Sequence, residues 1–336
     1  MNSYSWPTRF IPLALLACLA GATCAADNSK AVYDDPKKAA EDPDFAIQGE
    51  YAGESVGEKK TKLGAQIVAL GNGKFLGVGY VGGLPGDGWT KEGEKPMRSE
   101  GQLKDGQVLF VGDDHNAVLK DGVITVTNKS DGQLFGTLKK IERKSPTLGA
   151  KPPQGAVILF DGKTNDFKEG NSKVTADGLL TQGVTSKTTF DDFTLHIEFR
   201  LPFQPGARGQ GRGNSGLYMQ SRYETQMLDS FGLEGKHNEC GGIYSIKDPD
   251  VNMCYPPLTW QTYDVDFTAA KFDADGKKIA NAKMTVKHNG VIVHKDVELP
   301  KATTAAPVKE GPEPGPIYLQ NHGNPVRYRN IWVVPK

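Results

Sequence analysis

In the stretch DFTLHIEFRL, residues 192 to 201, Phe193, Leu195, Ile197, Phe199 and Leu201 are apolar, and Thr194, His196, Glu198 and Arg200 between them are polar. A helix would scatter those apolar side chains around its circumference, whereas a strand places them all on one face. The same two-residue rhythm recurs along the chain, broken by Gly and Pro, and strong helical periodicity is absent. Forty Gly and twenty-one Pro supply the breaks. The expectation is an all-β chain, and 336 residues are enough for two domains.

Forty Lys plus Arg balance forty Asp plus Glu, so no net field draws the chain to nucleic acid or to an anionic membrane. Residues 1–26 read as an export signal, with Arg9, an apolar run from Phe10 to Ala22, and a small-residue cleavage site at Thr23-Cys24-Ala25 or Cys24-Ala25-Ala26. That run is too short to span a membrane, and no later segment approaches about 20 apolar residues. A secreted or periplasmic mature protein is expected. A lipoprotein box, Leu15-Leu16-Ala17-Cys18, is the second reading, because it truncates the apolar core and sets a bulky Leu before the Ala.

Residues 27–44 are charged and weakly patterned, the composition of a flexible lead-in. From 45 to 143 short strand candidates alternate with Gly-Asn-Gly, Lys-Asp-Gly and Ser-Asp-Gly turns, predicting a small antiparallel β domain of unknown role. Within it GGLPGDGW, residues 82 to 89, is either a ligand loop or a turn pinned by Trp89, the second being the simpler reading. Residues 144–155 form a Pro/Gly-rich linker. Residues 156–336 hold longer strand candidates, with Asn289-Gly290 as the plainest hairpin signal, and predict a jelly-roll β-sandwich.

Candidate chemistry lies on the polar faces of those strands. In YETQMLD, Glu224 and Gln226 share a face, and Asp229 rejoins them if the strand bulges. Paired acids on one sandwich strand fit the retaining-glucanase arrangement, but an exposed polar face fits the spacing as well. Gln320 and His322 share a face with Tyr318, and His322, between a strand and a Gly turn, is the imidazole chosen for acid/base or metal-ligand work. Arg327 and Arg329 would hold a carboxylate, or pair structurally with Glu198 or Asp229. Trp260 would stack on a sugar ring or fill the core, and His288 and His294, flanking the hairpin, are expected to be exposed. The Arg/Gly-rich loop at 205–216 reads as a connector. Cys240 and Cys254, about 15 residues apart, would form a disulfide in an oxidising compartment; a metal pair is disfavoured because no companion His or Cys motif is present.

LFDGKTNDF (159 to 167), DFTLHIEFRL (192 to 201), GNSGLYMQSRYETQMLDS (213 to 230), CGGIY (240 to 244), PPLTWQTYDVDF (256 to 267), VKHNGVIVHKDVEL (286 to 299) and GPIYLQNHGNPVRYRNIWV (315 to 333) occur together in this order. In that combination the chain resembles the 3-keto-disaccharide hydrolase domain family, which has a concanavalin A-like sandwich. The long Arg/Gly loop and the Cys pair depart from the family pattern, and the first 150 residues lie outside the resemblance.

The resemblance implies a carbohydrate substrate whose C3 hydroxyl has been oxidised to a ketone. Such a ketone acidifies the C2 proton, so that a base can start elimination of the C1 oxygen, with water adding afterwards. It implies Glu224 and His322 as catalytic candidates, with Gln226, Gln320, Arg327, Glu198 and Trp260 as substrate-binding candidates. No cofactor is assigned with certainty; a divalent metal, or Arg327, would be the electrophile for the enolate. The competing readings are a non-catalytic carbohydrate-binding module and a conventional two-carboxylate glucanase.

Overall fold

Eight antiparallel strands close on themselves between Gly49 and Ile141. They are β1 (Gly49–Ser55), β2 (Lys62–Gly71), β3 (Lys74–Val81), β4 (Met97–Lys104), β5 (Gln107–Val111), β6 (His115–Lys120), β7 (Val123–Asn128) and β8 (Leu134–Ile141), and β1 pairs with both β2 and β8. Asn72-Gly73, Asp105-Gly106 and Asp121-Gly122 make three of the hairpins, with positive φ at both residues of each pair, as a two-residue turn matched to the strand twist requires. Leu63, Ile67, Phe75, Val108, Phe110, Leu119, Ile124 and Leu138 form its apolar core. Closure leaves no free sheet edge. This is a computed structural model, which describes residues 27–168 and 173–336; the export signal expected at 1–26 lies outside the described residues.

The second half is a sandwich of two sheets. The larger contains β9 (Val157–Phe160), β10 (Leu180–Thr181), β12 (Phe193–Arg200), β15 (Trp260–Thr268), β16 (Ala282–His288), β17 (Val291–Leu299) and β19 (Arg327–Pro335). Its order is β9-β19-β12-β15-β16-β17, with β10 also on β19. The smaller contains β11 (Val184–Phe190), β13 (Ser215–Met219), β14 (Tyr223–Met227) and β18 (Gly315–Leu319), in the order β11-β18-β13-β14. Phe193, Leu195, Ile197 and Phe199 from one sheet share a core with Leu217, Met219, Tyr223, Met227, Ile317 and Leu319 from the other. Each such side chain contributes about 1.5–3 kcal/mol by leaving water. The fold is the jelly-roll β-sandwich expected.

Three segments differ from expectation. The lead-in is not loose: it carries two short helices, Pro36–Ala39 and Pro43–Ile47, each N-capped by an Asp side chain and opened by Pro. Tyr33 bridges to Phe203 and stacks on its ring at 5.9 Å. The linker is a strap over the outer face of the large sheet, where Ser145 bonds to Thr262 (2.6 Å) and the Gly149 amide donates to Glu198 (2.6 Å). His288 and His294 are buried, not exposed. Burial depresses them to about 3 and about 4, so both are neutral near pH 7. They bond to Gln261 and to the Gly241 carbonyl, which draws the chain inward around them.

Candidate active site

The polar sides of β13, β14 and β18 face away from the sandwich core. In the antiparallel register Tyr218 lies opposite Glu224 and opposite Tyr318, and Gly216 opposite Gln226. This places Tyr318, Tyr218 and Glu224 in one row, with Gln320, Gly216 and Gln226 in the next. Open solvent does not cover these rows. Residues 241–244 run along the outer edge of β14, where the Gln226 amide donates to Gly242 (2.9 Å) and the Tyr244 amide donates to Glu224's carbonyl (3.2 Å). The Glu224 amide donates to the Thr303 hydroxyl at 3.0 Å, and Gln226 Nε2 donates to Gln210 Oε1 at 3.1 Å.

Glu224 is consequently 2 % exposed, on a face whose other members carry no charge. Burial pushes its carboxyl up to about 8, and the neighbouring Tyr218 phenol offsets only part of that rise. Glu224 Oε1 has no hydrogen-bond partner. Burial, followed by the proximity of Glu224, also raises the Tyr218 phenol, so its hydroxyl keeps its proton. Gln320 Nε2 donates to the Tyr218 oxygen at 3.2 Å. The assembly is one poised carboxyl beside a protonated phenol, ringed by neutral amides, and can take up or release a proton near neutral pH.

The expected site residues divide between two surfaces. Glu224, Gln226 and Gln320 share the face just described. His322 lies four residues beyond Tyr318 on the exposed turn after β18, roughly 13 Å along the strand direction, so it does not touch Glu224.

Glu198, Arg327 and Trp260 belong to the other sheet, and the expectation of one common cleft is corrected there. Glu198 points outward from β12 and accepts from Arg329 Nε (2.6 Å) and Asn330 Nδ2 (2.9 Å) as well as Gly149. Arg327 pairs with Asp34 of the lead-in. Trp260 is half-buried under the guanidinium groups of Arg329 and Arg200, 4.0 and 5.0 Å from its ring centre. The inner positions of β12 are filled by the apolar core, so its polar residues had only the opposite surface to occupy.

Asp229 is not a second acid for Glu224, because Arg212 Nε holds it at 2.6 Å. Cys240 and Cys254 are buried free thiols rather than a disulfide. The two thiols touch each other, and the Cys240 sulfur also meets the Tyr263 hydroxyl at 3.2 Å. Trp89 pins its turn, its ring edge-on to Tyr80 and its Nε1 donating to Glu94.

Sequence reading missed Gly216, Tyr218 and Gln210. The alternation in NSGLYM sets Gly216 and Tyr218 on one face, but only the hairpin register shows that this is also the face of Glu224. For a metal, the donor set here is poor: one carboxyl with amides and phenols. Among the described residues no three His, Cys, Asp or Glu side chains come together as metal ligands.

Residues 155–334 match the sequence profile of the 3-keto-alpha-glucoside-1,2-lyase-like domain. Among solved structures, a candidate glycosyl hydrolase from Parabacteroides distasonis ATCC 8503 is similar at 31% identity with a TM-score of 0.50, over 55% of this chain and 85% of that one. A second candidate glycosyl hydrolase from the same organism is 18% identical with a TM-score of 0.40, over 55% of this chain and 94% of that one. None of the curated proteins compared matches the chain.

Proposed function

Because the chain belongs to the 3-keto-alpha-glucoside-1,2-lyase-like family, we propose that it cleaves the glycosidic bond of 3-keto-glycosides, with Glu224 moving the C2 proton. The carrying observation is the buried Glu224 carboxyl, held near 8 with one oxygen unpartnered. A base of that strength suits a C2 proton acidified by a C3 ketone, and its ionised fraction grows through the mildly alkaline range.

In this reading ionised Glu224 takes the C2 proton, and the C–H electron pair becomes the enolate of the C3 ketone. The enolate collapses to a C1–C2 double bond and expels the C1 oxygen, which takes a proton from the Tyr218 phenol or from water. Water then adds at C1, and the proton on Glu224 returns to C2, restoring the ketone; a phenol that gave its proton regains one from water. The net change is one glycosidic bond exchanged for one water. Amide N–H groups of Gln226 and Gln320 supply neutral donors for the enolate oxygen. A two-carboxylate glucanase is less well supported, since Asp229 is committed to Arg212. Residues 1–26 support export of the mature chain.

The test compares a 3-keto-glucoside with its unoxidised parent. Wild-type protein is expected to cleave only the oxidised sugar, and Glu224→Gln to lose about 10²–10⁴ in kcat, the usual worth of a positioned proton-transfer group. Cleavage of neither sugar, with glycoside binding intact, would leave a carbohydrate-binding module.

A further inference from the structure

A cleft lies between the barrel and the sandwich. Phe45 and Gln48 line one wall, Thr259 and Trp260 the other, and Glu142 and Lys144 stand exposed near its mouth. Its volume of about 430 Å³ lies within the range of small-molecule sites.

Gln48 distinguishes this cleft from a loose seam. Its backbone ends the second short helix, donating to the Asp44 carbonyl at 3.0 Å. Its side chain is 3% exposed, yet neither Oε1 nor Nε2 has a protein partner. A buried amide with its acceptor and donors all unmatched is costly to keep, and a ligand carrying both kinds of group would satisfy it. The neighbouring charges are already committed: Arg143 is paired to Glu50 at 2.5 Å, and Lys140 reaches the Ala46 carbonyl. Glu142 and Lys144 carry opposite signs, so the mouth favours neither anion nor cation.

We propose that this cleft binds one neutral pyranose ring, as a site distinct from the Glu224 face. Hydroxyl groups offer both donor and acceptor to the Gln48 amide, and the C–H face of the sugar suits the apolar surface of Phe45 and Trp260. The two arginines over Trp260 fix its ring before any ligand arrives. The site would hold the protein on carbohydrate independently of bond cleavage.

Glucose, galactose, mannose and xylose, each titrated into the full protein and followed by NMR, test this. At least one is expected to bind saturably. Gln48→Leu, which removes the amide and keeps the bulk, is expected to weaken that affinity about tenfold, the effect of one or two lost hydrogen bonds. It should not lower the melting temperature, because no protein partner is lost. Thr259→Val, on the opposite wall, gives a second reading if Gln48→Leu fails to fold. Glu224→Gln should leave the affinity unchanged. The proposal is overturned if none of the four sugars saturates, if the wall variants bind as tightly as wild type, or if only Glu224→Gln abolishes binding.

Discussion

Glu224 Oε1 lies over Gly216, only 2.0 Å from where a β-carbon on that glycine would stand. The two residues are on paired strands, and the carboxyl folds across the bare backbone beside Tyr218. Gly216→Ala is therefore expected to displace the carboxyl while changing the surface little. A misplacement of about 1 Å costs on the order of 10² in rate. Kinetics on a 3-keto-glucoside together with a thermal melt check it: the predicted outcome is a large fall in kcat in a protein that still folds.

Stability should record the state of Glu224. Its carboxyl is raised from 4.5 to about 8, so between those values the folded chain binds more protons than the unfolded one. The contribution is fully present below about pH 4.5 and is lost as pH rises through about 8, on the order of 5 kcal/mol across that window. Glu224→Gln removes this dependence. Urea denaturation at pH 6 and pH 9 is expected to show the variant gaining on wild type at the higher pH.

Glu198 should behave in the opposite sense. Burial alone would raise it, but the His196 imidazole 3.8 Å away and bonds from Asn330, Gly149 and Arg329 outweigh burial and hold it at about 2. Its contribution is present above about pH 4.5 and lost as pH falls toward 2, on the order of 3 kcal/mol. Removing the carboxylate is expected to cost about 1–3 kcal/mol, because the Gly149 and Asn330 donors lose their acceptor while the half-exposed Arg329 returns to water. Glu198→Ala should lower the denaturation midpoint at pH 7 while the remaining folded protein keeps its kcat.

His322 is exposed, and no hydrogen bond or ion pair among the described residues involves it. His322→Ala is expected to leave kcat within about threefold of wild type, well below the 10²–10⁴ of a proton-transfer group. A pH–rate profile of the variant should keep its rise through about pH 8.

Strand period and turn chemistry carry much of this architecture. Asn289-Gly290 and the three Asn-Gly or Asp-Gly turns of the barrel are short-range signals, and DFTLHIEFRL divides between core and outer face as its alternation dictates. Alternation says which side chains share a face, but not what covers that face. Thus Glu198 and Glu224 look alike in sequence, yet one is neutralised by Arg329 under the linker strap and the other is buried with no ion-pair partner beside Tyr218. Two Asp-Pro pairs, Asp35-Pro36 and Asp42-Pro43, marked helix starts in a segment whose charge suggested disorder. Closure of the barrel depends on β1 meeting β8 across most of that unit, which no local pattern encodes.

The most direct measurement is the rate of cleavage of a 3-keto-glucoside carrying deuterium at C2, set against the protiated sugar. Removal of that hydrogen by Glu224 predicts slower turnover of the deuterated substrate under conditions where chemistry limits the rate. Equal rates under those conditions, with the glycosidic bond still broken, would contradict the account.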